Sequence, residues 1–182
     1  PSEMLLAGRP LNAPGTCVAC VMEGTRPVLA EIQALVARTN FNVPRRTADG
    51  FDFNRANLML AVLEKRAGYY FSNLDAYINV VGGLRLDEPA ADLAVAMALV
   101  SSLKDCPIRD DAMVVGEVGL AGELRSVSRI EARISEAKRL GFRLCVLPYS
   151  NLKQIHSKQE DIQLIGVKNV REAFEALTMP SV

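Results

Sequence analysis

Residues 87–102 of the chain read DEPAADLAVAMALVSS. Two acids and a proline stand ahead of eight consecutive apolar residues, 93–100. Proline favours the first turn of a helix, and a helix that is apolar on all sides has to be buried. The stretch therefore predicts a polar loop followed by a core helix from about Ala90 to Lys104. Loops that lead into helices often hold the reactive group of an α/β enzyme, so this junction is a candidate site.

The residues before this helix predict a hairpin, a turn, a helix and a strand. Two runs rich in apolar and β-branched residues, TCVACVMEG (16–24) and VLAEIQALVAR (28–38), flank a turn-like GTRP, which favours a β-hairpin. The second run also fits a helical period, so a helix over 28–38 is an alternative. A polar turn, a helix that ends at Gly68 and a short strand follow at 42–52, 54–67 and 75–83.

Strands and helices alternate after the core helix. The predicted strands are 111–119, 122–127, 142–148 and 161–167. Ser128 can cap a helix over 129–140 that Gly141 ends, and a last helix covers 170–177. Because the first fifty residues predict strands only, the order of elements indicates an α+β (mixed α/β) domain.

The first fifteen residues, PSEMLLAGRPLNAPG, contain three prolines and two glycines and predict an irregular lead-in. The chain does not start with Met, so we expect it to be a piece of a longer protein. In that case residues 1–15 are a linker from an upstream domain, and residues 16–182 are one compact domain. With 182 residues, 49% of them hydrophobic, the chain can bury a core.

The overall composition disfavours several classes of protein. Lys plus Arg and Asp plus Glu both number 21, so the net charge is zero, whereas nucleic-acid-binding domains are usually basic. Aromatic residues make up 5% of the chain and Trp is absent, which disfavours a base-stacking surface. No apolar run approaches the ~20 residues of a membrane span, and no signal segment is recognisable. Four cysteines in a chain of this size favour a reducing cytoplasm.

Cys17 and Cys20 form a CxxC pair, which suggests a zinc or redox site. A zinc site needs four ligands, but Cys106 and Cys145 stand apart and His156 is the single histidine. In a strand, a spacing of three also sends two side chains to opposite faces. Structural packing is therefore favoured, and we expect no metal site in this chain. His156, in the polar stretch QIHSKQ, is expected on the surface rather than in a catalytic triad.

Basic residues cluster in places where they could contact phosphate. Arg45 and Arg46 are adjacent in a predicted turn, and Arg129 and Arg133 are four residues apart and share one helix face. Acidic residues such as Glu131 dilute the second cluster. A solvated helix of mixed charge is therefore favoured there, with phosphate contact as the alternative.

The run from 77 to 148 resembles the peptidase domain of the Lon family. Its segments DEPAADLAVAMALVSSL and PIRDDAMVVGEVGLAGELRSVSRIEARISEAKRLG are similar to a DGPSAG loop before an apolar helix, a TGE turn and a GGLKEK segment. In that family the loop serine and the last lysine of GGLKEK form the catalytic dyad. Matched residue by residue, Pro89 falls on the loop proline, Ala90 on the serine and Arg133 on the lysine. Gly116, Glu117 and Gly122 match the glycine-bearing turn.

Both dyad positions therefore carry residues that cannot perform the reaction. Alanine has no nucleophilic oxygen, and arginine, with a pKa above ~12, does not accept the proton of a serine. The resemblance thus implies a domain that is not an enzyme. Four serines remain as conceivable relocated nucleophiles: Ser101, Ser102, Ser126 and Ser128.

The front of the chain narrows the resemblance. NAPGTCVACVMEGTRPVLAEIQALVARTNF, PRRTADGFDFNRANLMLAVLEKRAGY and NLDAYINVVGGLRLDEPAADLA are similar to the C-terminal part of the RadA (Sms) family of bacterial DNA-repair proteins. The resemblance implies a ribosomal-S5-domain-2-like fold, as in the Lon peptidase domain. It also implies an upstream zinc finger and RecA-like ATPase, so that ATP, magnesium and zinc bind there. Neither a GxxxxGK[ST] nor a GxGxxG motif occurs in this chain, for which we expect no cofactor.

The resemblance also implies partners. The family forms hexameric rings on DNA and drives branch migration during recombination, so we expect ring assembly with copies of the same protein, DNA contact, and a recombinase partner for the longer protein in the bacterial cytoplasm. Arg45, Arg46 and Arg133 are the candidates for phosphate contact. The alternatives are a residual serine peptidase that uses a relocated dyad, and a scaffold that only holds a ring together.

Overall fold

The computed structural model describes residues 1–180, so residues 181 and 182 of the expected domain lie outside the described part. Its helices and strands are α1 (Ser2–Leu6), β1 (Thr16–Glu23), β2 (Arg26–Arg38), β3 (Arg46–Asp49), α2 (Phe53–Ala67), β4 (Leu74–Val80), α3 (Asp92–Lys104), β5 (Ala112–Val114), β6 (Glu117–Val118), β7 (Leu124–Arg125), α4 (Ile130–Arg139), β8 (Leu144–Pro148), α5 (Tyr149–Leu152), β9 (Gln163–Val167) and α6 (Val170–Thr178). Two 3₁₀ turns, Val81–Gly83 and Pro89–Ala91, lie between β4 and α3.

Seven strands form one sheet in the order β3-β4-β2-β1-β5-β8-β9. The two central pairings, β1 with β2 and β2 with β4, are antiparallel, and the outer pairings are parallel. Strands β6 and β7 form a separate small hairpin. The mixed sheet confirms the predicted α+β (mixed α/β) class.

Helices cover both faces of the sheet. Helix α3 packs against one face of β1 and β2, and side chains of α2 and α6 join it in the larger core cluster. Helix α4 packs on the other face, where Ile134 and Ala137 are fully buried. Cys17 belongs to the first cluster and Cys20 to the second, which confirms that β1 sends the two thiols to opposite faces.

The core helix predicted from the apolar run is α3. All residues from Asp92 to Ser101 are buried, and Leu93, Met97 and Leu99 have no exposed surface. Each such side chain contributes about 1.5–3 kcal/mol when it is removed from water. Because α3 contacts β1, β2 and α6 at once, it fixes the position of the loop that precedes it.

Three local predictions are wrong, and one alternative is excluded. The turn over 42–52 contains the edge strand β3, whose short RTAD segment has no apolar alternation to reveal it. The irregular lead-in contains α1, and the strand over 111–119 is two strands, β5 and β6, separated at Gly116. The strand favoured over 28–38 is confirmed as β2, which rules out the helical alternative.

The predicted cap of α4 is also wrong. Arg129, not Ser128, is the N-cap, and no side chain caps the helix. Arg129 has φ 55°, a left-handed conformation in which glycine is favoured. Within residues 1–180, no helix is both long enough and apolar enough to cross a membrane.

Candidate functional site

The loop ahead of α3 is held by backbone hydrogen bonds to the segment between β5 and β6. The Gly116 N–H donates to the Ala90 carbonyl and the Leu93 N–H donates to the Gly116 carbonyl, each over 3.0 Å. A Cβ on Gly116 would lie 3.2–3.3 Å from side-chain atoms of Leu93 and Pro148, which is tighter than most packed contacts. The loop is therefore a rigid turn that ends in the buried helix.

Ala90 and Arg133 lie on the wall of the same cavity, which has a volume of about 150 Å³. Glu88, Glu117 and Ser126 also line it. The structure thus brings together the two positions that the sequence matches to a serine and a lysine. Ala90 is 5% exposed, and its methyl group offers no reactive atom to the cavity.

Arg133 is completely buried, and four hydrogen bonds from its guanidinium go to protein acceptors. Its Nη1 donates to a Glu88 carboxylate oxygen over 2.5 Å and to the Cys20 carbonyl over 2.8 Å. Its Nη2 donates to the other Glu88 oxygen over 3.2 Å, and its Nε donates to the Ser128 carbonyl over 2.8 Å. The guanidinium is thus buried among protein acceptors in this structure, which does not favour phosphate contact, and the expectation that Arg133 contacts DNA stays a prediction.

Glu88 connects the loop to both neighbouring elements. Besides binding Arg133, its Oε1 accepts a hydrogen bond from the Met22 N–H over 2.9 Å. The carboxylate therefore joins the end of β1, the loop and α4. The cation of Arg133 would cost several kcal/mol to bury without such a partner.

A second ion pair holds the other end of the loop. Arg55 on α2 binds the Asp92 carboxylate through both Nε and Nη2, and Asp92 also accepts from the Val118 N–H over 3.1 Å. Burial raises the pKa of Asp92, while hydrogen bonds from Arg55 and Val118 act in the opposite direction.

Sequence reasoning missed both of these carboxylates. The signal was present, because DEPAAD aligned with DGPSAG places acids at 88 and 92 where the pattern has glycines. Each acid lies opposite an arginine from another element, Arg133 and Arg55. The loop ahead of α3 is thus held by one ion pair on each side of Ala90.

The remaining serines are not arranged as a relocated dyad. The Ser101 hydroxyl donates to the Cys106 carbonyl over 2.6 Å, and the Ser102 hydroxyl accepts from the Val36 N–H over 2.9 Å. Both hydroxyls are therefore hydrogen-bonded to backbone groups. Ser126 and Ser128 line the cavity, where Ser126 contacts the Ser150 hydroxyl. No lysine or histidine lines this cavity in the part of the chain that the structure describes.

Arg45 and Arg46 lie on the edge of the sheet, away from the cavity. The Arg45 side chain is exposed, with its guanidinium 3.9 Å from the centre of the Phe41 ring. Arg46 is half-buried, and its Nη2 donates to the Phe71 carbonyl over 2.8 Å. Burial lowers the pKa of Arg46. Of the three predicted phosphate contacts, Arg45 is exposed, whereas Arg46 is only partly so, with its Nη1 buried.

The cysteines and the histidine behave as structural and surface residues. Burial raises the pKa of Cys17 and Cys145 and raises that of Cys20 to about 12, which keeps these thiols protonated and unreactive. His156 is exposed, as predicted. Within residues 1–180, no group of three or more His, Cys, Asp or Glu side chains is placed to bind a metal ion.

The chain is similar to known proteins over nearly its whole length. The family model described as subunit ChlI of Mg-chelatase matches residues 53–151, which include Ala90 and Arg133. DNA repair protein RadA of Bacillus subtilis is 50% identical over 174 residues, covering 96% of this chain and 38% of that protein. DNA repair protein RadA of Streptococcus pneumoniae is 51% identical over 175 residues, covering 96% of this chain and 41% of that protein. The chain therefore spans about two fifths of the length of these relatives.

Proposed function

The chain belongs to the family described as subunit ChlI of Mg-chelatase. From its similarity to RadA proteins and from the loop around Ala90, we propose that it is a non-catalytic, Lon-like domain of a RadA-type DNA repair protein. Its role is to assemble a ring and to contact DNA during branch migration. ATP, magnesium and zinc would bind elsewhere in the longer protein, which would act in the bacterial cytoplasm with a recombinase.

One observation carries the non-catalytic part of the proposal. The position matched to the catalytic lysine holds an arginine with no exposed surface, and its donors are used by Glu88 and two carbonyls. A general base must be able to lose and gain a proton near its working pH, and a bound guanidinium cannot. Ala90 lacks the nucleophile as well.

A peptidase assay tests this part. The chain is incubated with unfolded casein and with a fluorogenic peptide, each with and without a serine-reactive phosphonate. We expect no cleavage above that of a heat-denatured control. Reproducible cleavage that the phosphonate abolishes would contradict the proposal and support the alternative of a relocated serine, with Ser126 the first residue to replace.

DNA contact is assigned to Arg45 and Arg46. Arg45 is exposed, and neither arginine forms an ion pair within residues 1–180. A ring would repeat these side chains around one axis, so weak phosphate contacts would add up although the net charge is zero.

The test uses the ring-forming longer protein and duplex DNA at several salt concentrations. We expect Arg45→Ala/Arg46→Ala to weaken binding and to reduce the slope of log K against log salt by ~0.9 for each phosphate that the protein no longer neutralises. Arg26→Ala, an exposed arginine at the β1–β2 turn, is the matched control. Because Arg46 also binds the Phe71 carbonyl, Arg45→Ala alone checks that any effect is not a folding defect.

Ring assembly without DNA contact is the remaining alternative. Light scattering of the longer protein gives its oligomeric state, which we expect to be hexameric. A hexamer whose DNA affinity is unchanged in both arginine variants would favour the scaffold and remove these residues from the proposal.

A further inference from the structure

A second cavity, of about 200 Å³, lies between α2, α6 and the β6–β7 turn, apart from the Ala90 cavity. Within the described residues, its only charged lining side chains are Arg66 and Arg171. No carboxylate lines it among the described residues, although acids and bases are equally numerous in the chain. A cavity lined by two cations and no anion is suited to a negatively charged ligand.

Protein contacts hold both arginines in place without using most of their donors. Arg66 Nε donates to the Leu120 carbonyl over 3.3 Å, and Arg171 Nη1 donates to the Ala67 carbonyl over 2.6 Å. The Arg171 guanidinium also lies 5.3 Å from the centre of the Tyr69 ring. Each guanidinium has five N–H donors, so the majority remain free for a ligand.

Two carboxylates adjacent in the chain to cavity residues are already bonded to other groups. Glu123 binds Arg125 over 2.9 Å and accepts from the Ala121 N–H over 3.1 Å. Glu172 accepts from the Asn169 side-chain amide over 3.0 Å. Within residues 1–180, neither of the cavity arginines takes part in an ion pair.

Two lysines lie close to the cavity residues, one in space and one in the chain. Lys104 lies over the same Tyr69 ring as Arg171, at 5.7 Å. Lys168, next to the cavity residue Asn169 in the chain, lies 4.9 Å from the centre of the Tyr149 ring. Neither lysine is in an ion pair among the described residues, so both add positive charge to this region.

From these contacts we propose that this cavity is a phosphate-binding site in which Arg66 and Arg171 grip one phosphate group together. Arginine forks match the oxygens of a phosphate in a bidentate manner. The phosphate belongs either to a small phosphorylated molecule or to a nucleic-acid backbone. The site does not depend on the assignment of Arg45 and Arg46, which lie on the sheet edge.

The experiment titrates the chain, in phosphate-free buffer, with sodium pyrophosphate in one arm and a 12-nucleotide oligonucleotide in the other. Binding is followed by calorimetry and by amide NMR shifts, with the Gly122 and Asn169 amides as local reporters. Arg66→Gln is the decisive variant, because Arg66 is exposed and makes one long hydrogen bond. Arg171→Gln is the second variant, and Arg26→Gln is the matched control.

We expect saturable binding in at least one arm. Either cavity variant should weaken this binding about tenfold, because each loses one charged hydrogen bond to the ligand, and the control variant should leave the affinity unchanged. Pyrophosphate binding identifies a small phosphorylated ligand, and binding of the oligonucleotide alone identifies a nucleic-acid backbone. No binding in either arm, or affinity in Arg66→Gln equal to that of the control, overturns the proposal. Failure here leaves the DNA test of Arg45 untouched, and the reverse also holds.

Discussion

Replacing Glu88 and Arg133 separately and together measures how strongly their ion pair holds the loop. Arg133 is fully buried, whereas the Glu88 side chain is 28% exposed. Removing one partner of a buried pair costs about 3–5 kcal/mol when the remaining charge stays dry. Water can reach Glu88, so Arg133→Met is expected to lie at the lower end of that range, at about 3 kcal/mol.

Glu88→Gln is expected to cost at least as much. The glutamine oxygen can still accept from Arg133 and from the Met22 N–H, but the buried cation loses its counter-charge. When Arg133 is already replaced by methionine, however, Glu88→Gln no longer breaks the ion pair. It only removes a carboxylate charge that has lost its partner. The double variant should therefore be more stable than the sum of the single effects by about 1.5–3 kcal/mol.

The assay is equilibrium unfolding in urea, followed by far-UV circular dichroism, with the free energy of unfolding compared at constant m-value. Arg139→Met with Glu136→Gln is a matched control, because that pair is also on α4 but half of the Arg139 side chain is exposed. Its coupling should stay below about 0.5 kcal/mol. A coupling energy for Glu88 and Arg133 as small as this control would refute the idea that charge fixes the loop.

Three further predictions follow from single features. The double variant Ala90→Ser/Arg133→Lys should remain inactive towards a fluorogenic peptide, because Glu88 would hold the introduced lysine protonated. Peptide cleavage by this variant, with Glu88 unchanged, would contradict this role of Glu88. Hydrogen bonds from Arg139 lower the pKa of Glu136 below its ordinary value of 4.5, so the contribution of Glu136 to stability is present above that pH and is lost as the pH falls. Between pH 7 and pH 3, the urea midpoint of Glu136→Gln should therefore fall less steeply than that of the unsubstituted chain. Parallel pH curves for the two proteins would count against this prediction. Gly68→Ala should lower the free energy of unfolding by about 1 kcal/mol, because Gly68 ends α2 at φ 78°, and an unchanged urea midpoint would contradict the strain argument.

The regular core could be predicted from the sequence because its signals are local. Eight apolar residues in a row identify α3, and the run over 16–38 identifies the hairpin. The edge strand β3 could not be found this way, because its four residues gain their structure from pairing with β4. Helix α1 likewise depends on distant contacts, since Ser2 donates to Glu136 and accepts from the Leu29 N–H.

The candidate site could be predicted only in part, because only some of its signals are local in the sequence. Motif spacing placed Ala90 and Arg133 at matched positions, and the structure brings them to one cavity. Whether Arg133 faced solvent or Glu88 depended on tertiary packing between α4, β1 and the loop, which no local pattern encodes. The cavity of Arg66 and Arg171 joins residues more than one hundred positions apart, so it is visible only in three dimensions.

Cys17 and Cys20 can report separately on the opening of the helices on the two faces of β1. The two thiols are three residues apart, yet Cys17 is buried in the core cluster that contains α3 and Cys20 in the cluster that contains α4. A thiol reagent can reach either only when the covering helices lift away. The labelling rates of the two cysteines, separated by peptide mass mapping, would therefore compare how often each helical layer opens and show which one is released first.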